Sequence, residues 1–216
     1  RTNKAADAYK HAYALNPEDP DLLKDYAQAL FFDNQVDDAV KAYEKVLEQD
    51  ANDSATLLRL GQLYRRQGSF NQSRQTLQKL LQLNGNNIEA MYELAMADRE
   101  DGQLEDSAKR FADILKRTEK STGQYSQAEL RNRRTFGMFL GLNYSALGRY
   151  DDAAKGFQRA WELNNAMISY LIGWGTVLLK QNAFQMAADK FRQVMELPSG
   201  ASRSELTVSL GRWMYA

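Results

Sequence analysis

The chain contains no cysteine, a single histidine and only three prolines in 216 residues. Without thiols there is no disulfide framework, no thiolate metal site and no cysteine nucleophile, and one imidazole excludes any site that needs two. Long apolar runs are missing too. The most lipid-like stretch, residues 166–179, is interrupted by Ser169, Gly173, Gly175 and Thr176 and falls short of the roughly 18–20 residues a spanning helix needs. Arg1 to Leu15 is an amphipathic run rather than a basic head with an apolar core, so it does not read as a signal peptide. Net charge is absent as well, with 28 Lys and Arg against 28 Asp and Glu, which argues against a domain-wide basic footprint for nucleic acid. What remains is 44% hydrophobic and 26% charged, enough to bury a core. The lack of cysteine leaves the redox compartment open.

The balanced charge is unevenly distributed. Residues 1–53 carry 6 basic and 12 acidic groups, residues 54–121 carry 11 and 9, and residues 122–216 carry 11 and 7. In an elongated body, charges farther apart than about 10 Å at moderate salt would not screen one another, so the two ends are expected to present different fields.

The chain repeats itself every 34 residues. Windows starting at Pro20, Ser54, Ile88, Arg134, Ile168 and Ser204 align, and the eighth position is small in all six: Ala27, Gly61, Ala95, Gly141, Gly175, Gly211. Position 7 is large (Tyr26, Leu60, Leu94, Leu140, Trp174, Leu210), position 20 is small (Ala5, Ala39, Ser73, Ser107, Ala153, Ala187), and position 24 is large again (Tyr9, Tyr43, Leu77, Phe111, Phe157, Phe191). Positions 4, 7, 8 and 11 form one buried helical stripe and positions 17, 20, 24 and 27 another; the small residues let the two helix axes approach where they cross. Position 15, between the stripes, is Asn34, Gly68, Gly102, Gly148 and Asn182, the residue types that accept the left-handed conformation ending a helix. Asp37, Asn71, Glu105, Asp151 and Gln185 then read as start signals for the second helix, with the Asp and Asn as caps.

Over nearly its whole length this pattern resembles the tetratricopeptide repeat family. The resemblance implies an all-α fold, a right-handed superhelical solenoid of antiparallel helix pairs A and B. The expected organisation is one continuous domain: residues 1–19, the second helix of an incomplete repeat; repeats at 20–53, 54–87 and 88–121; an insertion at 122–133; repeats at 134–167 and 168–201; and a terminal capping helix at 202–216. Leu206, Leu210 and Trp213 give that last helix its apolar stripe. An unpaired B helix at the start would expose apolar surface, so the solenoid is expected to continue upstream.

Departures are informative. The family's usual proline at position 32 appears only as Pro17, which predicts looser joints. Asp98 sits at position 11, where a large apolar group belongs, and is expected to bond Ser107 or bend toward water. The insertion runs from Ser126 without a breaker into the next helix, with Ser126 and Glu129 spaced as a capping box, so helix A of the fourth unit gains two turns. Arg131 and Arg134 share its face as a basic corner while Arg133 points aside.

No catalytic template fits, and no catalytic residue, cofactor or metal is expected. Gly173-Trp174-Gly175 lacks the strand and third glycine of a dinucleotide fingerprint, and a calcium loop with Gly102 as its turn glycine would place Ala97 and Arg99 at the first and third ligand positions. His11 falls on an outward B-helix site. Asn52, Asn71 and Asn143 begin N-x-S triplets, the last in mid-helix.

The resemblance places partner contacts at positions 2, 5, 9 and 12 of the A helices. The candidate groove residues are Lys24, Gln28, Phe31, Leu58, Gln62, Arg65, Tyr92, Met96 and Arg99 on a mixed polar face, then Met138, Leu142, Ile172, Thr176 and Leu179 on a more apolar one. Family members that clamp a C-terminal carboxylate need cations where this chain has Glu89 and Glu93, so that clamp is not expected. The reading is a non-enzymatic interaction scaffold that takes a peptide or helix of a partner protein, with no nucleic acid and no membrane insertion. Its alternative is an assembly module or homo-oligomer acting through end-to-end or convex-face contacts. The turn punctuation suggests a soluble protein of bacterial cytoplasm or periplasm.

Overall fold

Position 15 sets the architecture. In the computed structural model Asn34, Gly68, Gly102, Gly148 and Asn182 all have positive φ, between 60° and 79°. At four of these turns the next backbone N–H reaches back to close the helix end: Gln35 to the Leu30 carbonyl at 3.0 Å, Ser69 to Tyr64 at 2.8 Å, Arg149 to Tyr144 at 2.8 Å and Ala183 to Leu178 at 2.9 Å. The chain therefore reverses there, and each A helix is followed by an antiparallel B helix.

The structure describes residues 2–17, 19–163 and 168–196, with side chains from Ala6 onward. These residues form α1 (Thr2–Leu15), α2 (Pro20–Phe32), α3 (Val36–Gln49), α4 (Ser54–Arg66), α5 (Phe70–Leu83), α6 (Ile88–Glu100), α7 (Leu104–Arg117), α8 (Gln127–Ala146), α9 (Tyr150–Leu163), α10 (Ile168–Lys180) and α11 (Phe184–Glu196), and no strand. The repeat columns at Leu210 and Gly211, and the capping helix expected at 202–216, lie outside the described residues, as does the side chain of Ala5.

Two compact units result, Arg1–Gly102 and Gln103–Ala216. In the first, α1 to α6 pack each on the next and α4 also touches α6; in the second, α7 to α11 do the same and α8 touches α10. The small eighth position works as expected. A Cβ on Gly61 would lie 2.6 Å from the Leu77 side chain, on Gly175 2.7 Å from Phe191 and on Gly141 3.1 Å from Phe157, so position 24 of each B helix fills the space above position 8. Ser73 at position 20 donates its hydroxyl to the Gly61 carbonyl at 2.8 Å across the same crossing.

Two local expectations need correction, and one of the two alternatives for Asp98 falls away. The Asp and Asn start signals do not cap the B helices. The N-cap residues of α3, α5 and α7 are Gln35, Ser69 and Gln103, none with a side-chain cap bond, and the acids fall in the first turn. There they still favour the positive end of the helix dipole. The A helices are the capped ones: Asp19, Asp53 and Asn87 each accept from the first turn of α2, α4 and α6. The joints lacking proline are also braced, since Asp50 accepts from the Asn52 N–H at 3.0 Å and Asn84 from the Asn86 N–H at 3.2 Å. Asp98 does not bend to water. It is 1% exposed, with the Arg74 guanidinium 3.5 Å away.

Candidate partner-binding site

In the first unit the A-helix face is knit together by charge. Lys24 on α2 places Nζ 2.8 Å from Oδ2 of Asp53, the residue that caps α4. Burial alone would raise the Asp53 carboxyl, but hydrogen bonds from Lys24 and Thr56 outweigh it and hold the group below the ordinary range. The same hydrogen bond raises the Lys24 ammonium.

On α4, Gln62 accepts from Arg59 Nη1 at 2.9 Å and donates to Glu89 at 3.2 Å and to Glu93 at 3.1 Å. Arg65 donates Nε to Glu93 at 2.9 Å and Nη1 to Glu100 at 2.6 Å. Position 9 of one A helix thus faces positions 2 and 6 of the next. Glu93 is buried and fully answered, as a buried carboxylate must be. Phe31 is buried beneath two guanidinium groups, with Arg59 5.0 Å and Arg66 4.7 Å from its ring centroid.

Of the remaining candidates on this unit, Gln28 is exposed, while Leu58, Tyr92, Met96 and Arg99 are half-buried. Leu58 packs against the cluster of Leu57, Leu77, Leu80, Ala90 and Leu94. Burial raises the Tyr92 hydroxyl and lowers the Arg99 guanidinium.

The second unit has an apolar A-helix face. Met138 and Leu142 on α8 lie half-buried against Ala153, Phe157 and Val177. Trp174 on α10 joins that cluster to the one containing Leu171, Ile172 and Val194, and Lys190 holds its ammonium 3.8 Å from the indole. Leu179 is half-buried; Ile172 and Thr176 are 3% and 5% exposed and back the wall rather than front it.

Residues 1–60 and 33–84 match the family profile described as tetratricopeptide repeat. Residues 1–84 carry tetratricopeptide repeats. Solved structures with the same fold include MamA, at 22% identity and TM-score 0.68 over 79% of this chain and 92% of that one. They include residues 41 to the end of MamA from Desulfovibrio magneticus RS-1, at 18% identity and TM-score 0.71 over 85% and 97%. A third is YrrB, described as a TPR protein with an unusual peptide-binding site, at 16% identity and TM-score 0.71 over 95% and 98%. No curated protein matches the sequence.

Among the described residues no helix is long and apolar enough to cross a membrane, and no group of three or more His, Asp or Glu is placed to hold a metal ion. Two contact systems of these tetratricopeptide repeats escape a column-by-column reading. One is a tie from three of the turns to an acid at position 18 of the preceding repeat. Gln67 donates to Asp37 at 2.7 Å and Gln181 to Asp151 at 2.6 Å, position 14 to position 18 in both cases, and Arg149 reaches Glu105 at 3.1 Å. The regular acids at position 18 were the available signal.

The other is Arg133. It stands where other A helices have their cap, but α8 has already begun at Gln127 under an intact Ser126–Glu129 capping box. Freed from that role, Arg133 is buried, not turned aside. It donates Nη1 to the Leu115 carbonyl at 2.9 Å and to the Thr118 hydroxyl at 2.8 Å, closing the end of α7, and lies over the Tyr125 ring at 4.7 Å.

Proposed function

We propose that the protein is a non-enzymatic interaction scaffold whose A-helix faces receive a peptide or helix of a partner protein. The observation that carries this reading is the half-exposed apolar face of α8 and α10, with Met138 and Leu142 one turn apart on α8, Trp174 and Leu179 on α10, and a cation seated on the indole. Such a face suits the apolar side of an amphipathic helix or an extended hydrophobic peptide. The fold shared with YrrB, whose description names a peptide-binding site, supports it.

The first unit would contribute differently. Lys24, Gln62 and Arg65 are engaged within the repeat stack, and Glu89 and Glu93 accept hydrogen bonds from it. Gln28, Leu58, Tyr92, Met96 and Arg99 would be its contacts, an arrangement that selects polar flanks and disfavours a free carboxylate.

Twelve-residue peptides selected from a phage-displayed library against the whole chain test the reading by isothermal titration calorimetry. Met138→Asp and Leu142→Asp are expected to weaken binding at least about ten-fold, a loss of about 1.4 kcal/mol. Selected peptides indifferent to both substitutions would refute it. The competing reading, assembly through unlike ends, draws on the acidic residues 1–53 and the basic excess after residue 121. Sedimentation that depends on protein concentration at low salt and loses that dependence at high salt would favour it.

A further inference from the structure

The second unit holds a cleft on its B-helix side that the groove reading does not use. Its volume is about 370 Å³, and it lies over the seam between α8 and α9, with Leu115 of α7 and Leu140 of α8 among its lining. The fourth repeat differs from the others at this seam. Position 4 is Leu23, Leu57, Met91 and Leu171 elsewhere but Gly137 here, and position 23 is Ala42, Thr76, Arg110 and Lys190 elsewhere but Gly156 here. A Cβ on Gly156 would meet the Gly141 backbone at 2.9 Å, and one on Gly137 would sit 3.4 Å from Ala160 Cβ and the Gly156 carbonyl oxygen. With no side chain at either position, the floor of the cleft is backbone and small apolar surface.

The charges around that floor are unequally engaged. Asp152 accepts two hydrogen bonds from Arg149, at 3.0 and 2.7 Å, and Glu162 accepts from Gln158 at 2.8 Å. On the cationic side Lys155 has only a 3.8 Å contact to Asp152 at 78% exposure, and Arg159 is exposed with no hydrogen bond or ion pair among the described residues. The acids of the cleft are occupied and its bases are open.

Lys155 and Arg159 are four residues apart on α9, so their stems rise from points about 6 Å apart along the helix. That spacing can seat two carboxylates of a peptide, one on each base, with an apolar side chain between them over the glycine floor. We propose that this cleft is a second docking site, distinct from the A-helix faces, for an acidic peptide segment carrying one apolar side chain.

The probe is a fluorescein-labelled nonapeptide of sequence Asp-Glu-Asp-Glu-Leu-Glu-Asp-Glu-Asp, titrated into the whole chain at low salt and followed by anisotropy. Arg159→Glu, a substitution at an exposed position, is expected to weaken binding about ten-fold, while Arg159→Lys retains most of it. Replacing the central leucine of the probe by serine is expected to weaken binding about five-fold. In nitrogen-proton spectra the Gly137 and Gly156 amides should shift, and Leu142→Asp should leave the affinity unchanged, which separates this site from the A-helix reading. No binding, binding indifferent to Arg159→Glu, or binding indifferent to the central leucine overturns the proposal.

Discussion

Gly61 shows how little room the repeat leaves at a single residue. The Cβ of any other side chain there would lie 2.6 Å from Leu77, itself completely buried. Gly61→Val is therefore expected to cost about 2 kcal/mol, read as a lower urea midpoint with an unchanged slope. Arg133 is the opposite case, a large polar residue that cannot be reduced. Arg133→Met removes the Nη1 bonds to the Leu115 carbonyl and the Thr118 hydroxyl, leaving that carbonyl only the long 3.4 Å bond from Thr118, and should cost about 2–3 kcal/mol by the same measurement. The small column was legible in the sequence because it recurs in every repeat. Arg133 was not, because it occurs once, in a sequence position that looks like a solvated basic run, and its burial depends on where the preceding helix happens to end.

Two carboxylates make the residue scale testable by pH. The bridge from Lys120 and the hydrogen bonds of the capping box hold the exposed Glu129 carboxyl at about 2, below its unfolded value near 4.3. It therefore stays ionised as acid is added, and the support it gives the start of α8 is lost only as pH falls through the folded value. A carbon-detected titration is expected to place its midpoint near pH 2, and Lys120→Ala should move it upward. Asp53 is also held low, so the link from α2 to α4 is intact above the unfolded carboxylate range and loosens at lower pH. In Asp53→Asn that segment of the acid dependence should flatten.

At the scale of the element, the starts of helices separate what pattern reading resolves from what it does not. Positive φ at position 15 and the two added turns of α8 followed directly from Asn or Gly at a fixed spacing and from a capping box. The division of labour between caps did not. Asp appears at the start of both A and B helices, yet only Asp19 and Asp53 bond the helix that follows, while Asp37 and Asp151 turn to Gln67 and Gln181 of the next repeat. Composition alone cannot tell a cap from an inter-repeat tie one or two residues later, because both need a short acid beside a helix start. Asp53→Ala should therefore lower stability by about 1–2 kcal/mol, whereas Asp37→Ala, which removes only an exposed tie, should cost about 0.5 kcal/mol or less, both by chemical denaturation.

For the whole molecule, a chain with no thiol, one imidazole and no metal-ready cluster among its described residues has invested its sequence in stripes, crossings and caps. Those build the two A-helix faces, one bound up in the Gln62, Arg65 and Glu93 network and one apolar around Trp174. The difference between the faces was visible as a change in residue type along positions 2, 5, 9 and 12. The internal engagement of Lys24, Gln62 and Arg65 was not visible, since it depends on which residue of the next repeat stands opposite.

The most direct measurement of the scaffold reading is photo-crosslinking in the native cell. A photoreactive phenylalanine analogue is placed singly at Leu58, Met96, Met138, Leu142 and Leu179 on the A-helix faces, and at Lys45 and Gln75 on exposed B-helix positions of the first unit. The account expects one protein adduct common to several A-helix positions, lost when Leu142→Asp is introduced elsewhere on the same chain, and no such adduct from Lys45 or Gln75. Adducts that form from the B-helix positions and from none of the A-helix positions would contradict it.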